Sequence, residues 1–255
     1  MDSQALRVAY EENFQARTYL DMYGRLNEDV ETFQVEQLHL IFHSGLAQGK
    51  TLLEVGCGPM LWGSLLASSR FNHIVLSDLV QANRLEIIKW LNNNEDAFDW
   101  TIGAEKIAAL EGYDDIKRGA LEILKRARSS VRKVVPCDVL EPGVLPKEHR
   151  ETFDVVLSCN CLEAAAENHE SFRRAVRNVG TLVKPGGLLV LGGIGGSKGY
   201  SVGTAAFPHA NVTDNVVKQA VTDAGFQVKV LSAKNVEVDT ERPEAFPFVL
   251  AARKP

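Results

Sequence analysis

From Thr51 onward, short apolar runs alternate with stretches of helical periodicity, and this alternation restricts the fold more than any other feature of the chain. Seven runs read as strands: Thr51 to Val55, His73 to Leu76, Val131 to Val135, Phe153 to Ser158, Leu188 to Ile194, Gln227 to Leu231 and Phe246 to Ala252. Between them lie helical patterns at Met60–Ser68, Ala82–Leu91 (Leu85, Ile88 and Leu91 on one side), Glu167–Val179 and Thr213–Ala224, the last closed by Gly225. Strand–helix alternation predicts an α/β, doubly wound, mostly parallel seven-stranded sheet with helices on both faces. Such sheets bind ligands at the C-terminal ends of their strands, near the point where strand order reverses. Two segments stand outside the rhythm. Residues 1–50 read as one or two helices carrying Tyr10, Phe14, Tyr19 and Tyr23. Residues near 93–130, where Phe98 and Trp100 lead into a charged helix over Asp114–Arg128, read as a helical insertion within a single domain spanning 1–255.

Composition narrows the function. With 28 basic and 33 acidic residues the net charge is -5, which predicts no nucleic-acid partner and no membrane surface. No apolar stretch reaches the ~18 residues of a membrane span. The opening Met1-Asp2-Ser3-Gln4 lacks a signal-peptide pattern, and Cys57, Cys137, Cys159 and Cys161 form no CxxC framework, so a cytoplasmic location and no metal are expected. His39 and His43, four apart on a helix, read as a solvated or packing pair. Cys159 and Cys161 alternate across a strand end, so their thiols are expected to point apart as small buried side chains.

Chemistry concentrates at strand ends. Glu54-Val55-Gly56-Cys57-Gly58-Pro59 follows the first strand with two glycines that permit a tight turn and close approach of a ligand to the main chain. A dinucleotide site needs a third glycine where Leu61 stands, which argues against a pyrophosphate and a nicotinamide-dependent oxidoreductase. Asp78 ends the second strand, where a carboxylate can accept both hydroxyls of a ribose or cap the next helix. Asp138 ends the third, where it can accept from an adenine amino group, and Cys159 ends the fourth. Together they outline a nucleoside pocket.

These residues, with Lys184-Pro185-Gly186-Gly187, resemble the successive motifs of class I S-adenosylmethionine-dependent methyltransferases. The chain is closer still to the family of nicotinamide, phenylethanolamine and indolethylamine N-methyltransferases. That likeness is carried by Gly56-Cys57-Gly58-Pro59, Ser77-Asp78, Asn83, Glu95 to Trp100, Pro136-Cys137-Asp138-Val139, Leu182 to Gly187, Val249 to Lys254 and Phe14 to Leu20. The resemblance implies a Rossmann-like fold with residues 1–50 as an N-terminal helical lid, and S-adenosyl-L-methionine as methyl donor, leaving S-adenosyl-L-homocysteine. It implies that Gly56, Cys57 and Gly58 hug the methionine part, Asp78 and Asn83 the ribose, and Asp138 and Val139 the adenine. Cys159 would face the cofactor, Trp62 would stand near its carboxylate, and Tyr19 would cover cofactor and acceptor from the lid as the positioning residue. Tyr23, or Gly24 in its stead, would take a second lid slot. Ser197, Tyr200 and His209 would touch the acceptor, a small amine or pyridine.

One departure bears on substrate. Relatives carry an acidic or polar residue at about Gly193, whereas here Gly192-Gly193-Ile194-Gly195-Gly196 offers no carboxylate and reads as a flexible acceptor loop. The expected activity is methyl transfer to a small-molecule nitrogen by a monomer, the alternative being a cofactor-binding pseudoenzyme.

Overall fold

The computed structural model describes residues 3–25, 29–234 and 245–255. Within residues 1–50, positions 1–2 and 26–28 therefore lie outside the described residues. The strands are β1 (Thr51–Val55), β2 (His73–Asp78), β3 (Val131–Pro136), β4 (Phe153–Cys159), β5 (Val183–Gly195), β6 (Gly199–Val202), β7 (Ala205–Pro208), β8 (Gln227–Ala233) and β9 (Phe246–Arg253). The seven-stranded sheet runs β3-β2-β1-β4-β5-β9-β8, parallel from β3 to β5, with β9 antiparallel to both β5 and β8. This is the expected mostly parallel sheet, closed by the expected final pair. Strand order reverses between β1 and β4, which opens a crevice above their C-terminal ends.

The helices are α1 (Ser3–Asn13), α2 (Ala16–Tyr23), α3 (Asp29–His43), α4 (Trp62–Ala67), α5 (Gln81–Leu91), α6 (Thr101–Leu110), α7 (Ile116–Ser130), α8 (His169–Gly180) and α9 (Asp214–Asp223). Side-chain alternation along the strands feeds two cores. Leu52, Val155, Leu157, Leu188 and Val190 pack with α3, α4, α6 and α7, while Leu53, Val156, Leu189 and Leu191 pack with α8 and α9.

Several expectations are corrected. In α5 the buried face is Asn83, Ile87 and Trp90, and Leu85 and Ile88 are exposed. The helix is locked at its start by Asn83 bonding to Asp78, and this rotation overrides the apolar spacing. The insertion holds two helices, because α6 precedes the charged α7 and opens at Trp100, whose ring packs edge-on against Phe98 at 5.0 Å. The glycine run is not a loose loop. Gly192, Gly193 and Gly195 extend β5 to 13 residues, and the hairpin β6–β7 follows.

Candidate active site

The chain leaves β1 over Gly56 and Gly58, whose φ of 67° and 59° are left-handed and suit glycine. A Cβ at Gly56 would also overlap the Cys161 side chain. The turn aims main-chain donors at β2: Cys57 N–H donates to Ser77 O at 3.0 Å, and Gly58 N–H donates to Asp78 Oδ2 at 2.8 Å. Asp78 Oδ1 accepts from Val80 N–H and from Asn83 Nδ2, both at 2.9 Å. The helix-start role of Asp78 is therefore present, and the same carboxylate ties the glycine loop to α5. Burial pushes its pKa up, against the bonds from Asn83, Val80 and Gly58. Beside it, Asn83 lines the cavity, and its buried Oδ1 has no partner among the described residues.

Glu54, just before the turn, is buried, and burial pushes its pKa up to about 8. Its Oε2 has no partner among the described residues, and Glu54 is one of the residues lining the cavity. Past β3, Asp138 Oδ1 accepts from Leu140 N–H at 3.0 Å, and Oδ2 pairs with Arg7 of α1 at 3.0 Å. The Val139 carbonyl is held by Asn178 Nδ2 at 3.0 Å.

These groups share one cavity with Tyr19, Tyr23, Trp62, Cys159 and Tyr200. Of the two candidates for the second lid slot, Tyr23 is on the wall, while Gly24 is pressed against Phe98. Ser197 and His209 are not part of the wall. Ser197 Oγ donates to Gly199 O, and His209 stacks on Tyr200 at 5.1 Å. The lid side is aromatic: Tyr10 stacks on Phe207 at 4.4 Å, Phe14 meets Tyr19 at 5.2 Å, and Tyr19 meets Tyr23 at 4.9 Å. Burial pushes the Tyr19 and Tyr200 hydroxyls well up, so both stay neutral near pH 7.

Cys159 packs against the core shared with α3, α4, α6 and α7 and Cys161 against the core shared with α8 and α9, so the two thiols part as expected although both residues line this cavity. Asn160 between them has a φ of 53°, and this break in strand geometry lets residues two apart face different cores. Burial raises all four thiols, Cys137 to about 12, so none offers a thiolate at neutral pH.

Three residues escape sequence reasoning. Arg7 and Glu31 reach the wall from α1 and α3. Glu163 is buried, with Oε1 accepting from Ile194 N–H at 3.0 Å, and a Cβ built at Gly193 would lie 2.8 Å from that oxygen. A carboxylate thus stands at Gly193 after all, supplied by the neighbouring strand's exit. The available signal was an acidic residue inside the apolar run Cys161 to Ala166.

The family model for the NNMT/PNMT/TEMT family matches residues 2–254. The chain belongs to this family. It is 33% identical to indolethylamine N-methyltransferase of Oryctolagus cuniculus over 96% of this chain and 95% of that one. It is 31% identical to nicotinamide N-methyltransferase of Homo sapiens over 86% and 84%, and 30% identical to human phenylethanolamine N-methyltransferase over 89% and 82%. Among solved structures, the fold resembles the N-methyltransferase NodS from Bradyrhizobium japonicum with S-adenosyl-L-homocysteine (TM-score 0.56, 16% identity, 99% and 98% covered). It also resembles magnesium protoporphyrin IX methyltransferase from Synechocystis (TM-score 0.59, 12% identity, 100% and 98% covered). The protein is an S-adenosylmethionine-dependent small-molecule N-methyltransferase. The named family members are N-methyltransferases, which leaves the pseudoenzyme alternative without support. The residues present fit such a cofactor in chemistry: Asn83 Oδ1 and Glu54 Oε2 are buried acceptors without a partner among the described residues, on two residues that line the cavity. No described helix is long and apolar enough to cross a membrane, and no group of three His, Cys, Asp or Glu among the described residues could hold a metal.

Proposed function

We propose that this protein methylates a ring nitrogen or an arylalkylamine nitrogen held under the aromatic lid, with residues 1–50 acting as lid to a core over 51–255. The observation that carries the reading is the single cavity with Asp78, Asn83 and the glycine loop on one wall and Tyr10, Tyr19 and Tyr200 on another. In this reading Gly56, Cys57 and Gly58 hold the methionine part, Asp78 and Asn83 the ribose, and Asp138 and Val139 the adenine. Trp62, Tyr23 and Cys159 complete that wall, and Tyr200 and Tyr19 pack on the acceptor. Ser197 and His209 act by shaping the hairpin and the Tyr200 ring. The four free thiols suit a reducing, cytoplasmic setting, and the acidic balance suits a small-molecule acceptor without nucleic acid.

Held by Gly56, Cys57, Gly58, Asp78, Asn83, Asp138 and Val139, the cofactor would supply an electrophilic methyl group to the lone pair of the acceptor nitrogen. The protein aligns donor and acceptor in a site closed by aromatic rings, an effect of proximity and orientation. Glu163 is buried beside Gly193 and is not among the residues lining the cavity; ionised, it would stabilise the positive charge that develops on the acceptor nitrogen. Burial pushes Glu163 up to about 7, so turnover should rise as pH passes through 7. Glu163→Gln is expected to flatten that limb and to lower kcat about tenfold above pH 8. Assays of labelled methyl transfer to pyridines and arylalkylamines check this, and an unchanged profile rejects the role of Glu163.

The same group sets a stability trend. Its folded pKa of about 7 lies above the ordinary 4.5, so the protonated form is favoured in the fold. Its contribution is fully present below 4.5 and is lost as pH rises toward 7. Thermal melts should therefore show wild type losing stability relative to Glu163→Gln across that window.

A further inference from the structure

We propose that Arg7 is a positioning residue that ties the lid helix α1 to the adenine-binding carboxylate, so that lid closure and cofactor retention are one event. The proposal rests on the reading of Asp138 as the adenine residue. Of the eleven residues of α1 only Leu6 is buried, so little apolar area holds this helix down. At one end of its inward face Arg7 Nη1 meets Asp138 Oδ2 at 3.0 Å. One turn on, the Tyr10 hydroxyl lies 3.2 Å from that of Tyr200 and 3.3 Å from Ala164 O. The helix therefore straps the cavity from its adenine end to its acceptor end, and both ties come from residues that line it.

The geometry also says why Asp138 can serve two partners. Its Oδ1 is engaged by the Leu140 N–H, which fixes the carboxylate plane, and Oδ2 accepts from Arg7 with a second lone pair left for an adenine amino group. Arg7 and the cofactor would then share one oxygen, and the guanidinium would hold the carboxylate oriented before the cofactor arrives. Loss of Arg7 should free α1 to open and speed release from the adenine end. The side chains are partly exposed, at 38% for Arg7 and 18% for Asp138, so the effect is a modest one that salt will screen.

The test measures S-adenosyl-L-homocysteine affinity by calorimetry and its dissociation rate by stopped-flow quenching of Trp62, which lies on the cavity wall. The variants are Arg7→Gln, Arg7→Lys, Asp138→Asn and the double variant Arg7→Gln/Asp138→Asn. The expected result is about threefold to fivefold weaker binding and faster release in Arg7→Gln. Arg7→Lys should stay within twofold of wild type, because a single charged contact is kept. In the Asp138→Asn background, Arg7→Gln should cost nothing further, which a merely structural role for Arg7 would not produce. Equal losses in both backgrounds, or no loss from Arg7→Gln while Asp138→Asn weakens binding, overturn the proposal alone. Unchanged affinity in Asp138→Asn overturns the adenine reading, and the proposal with it.

Discussion

Asp78→Ala is expected to weaken S-adenosyl-L-homocysteine binding by about a hundredfold, roughly 2.7 kcal/mol, and to lower stability at the same time. The carboxylate accepts three hydrogen bonds, from Gly58 N–H, Val80 N–H and Asn83 Nδ2. Truncation leaves all three donors without an acceptor in a buried place, at about 1–3 kcal/mol for each one that finds no water. Without the Gly58 bond the glycine loop loses its tether to β2, and without the Asn83 bond the open Asn83 acceptor loses its aim. The ribose site and its scaffold therefore fail together. Asp78→Asn separates them: it keeps the shape and one acceptor, so it should fold more stably than Asp78→Ala while still binding the ligand poorly. Calorimetry on material shown to be folded by circular dichroism is the check. An Asp78→Ala protein binding within threefold of wild type would remove Asp78 from the cofactor site.

Gly56→Ala should be severely destructive, with a loss above about 4 kcal/mol. Two independent costs meet there. The φ of 67° disfavours any side chain, at about 1–2 kcal/mol. The added methyl would also overlap the Cys161 side chain, which is itself wedged against the turn. The two costs can be parted, since Cys161→Gly removes the obstructing atoms but not the backbone strain. Urea unfolding should show Gly56→Ala far below wild type, and should show that it costs much less in a Cys161→Gly background. An unchanged midpoint for Gly56→Ala would mean that the turn is not built as described.

What the sequence made legible was what local periodicity encodes. Each of the seven strands is an apolar run with sharp polar or glycine ends, and the two-layer packing follows from alternation along them. Glycines and acids at strand ends mark the crevice because strands are short and their ends predictable. What escaped depends on partners distant in sequence. The face of α5 is set by Asn83 reaching back to Asp78, against the pull of Leu85 and Ile88 toward the core. The way Cys159 and Cys161 part into the two cores goes with one left-handed residue, Asn160, whose amide exchanges hydrogen bonds with Gln34 of α3 at 2.9 Å in each direction. Glu163 supplies the carboxylate near Gly193 through proximity across β4 and β5, which the order of residues along β5 does not encode. Arg7 was missed for the same reason, since 131 residues of chain separate it from Asp138.

The central claim is that the crevice over β1, β2 and β3 is a nucleoside site for a methyl donor rather than for a dinucleotide. Calorimetric titration of the wild-type protein with S-adenosyl-L-homocysteine, and separately with NADH, tests it most directly. The account predicts saturable binding of the first with one site per chain and no heat from the second. Saturable binding of NADH with none of S-adenosyl-L-homocysteine would contradict it.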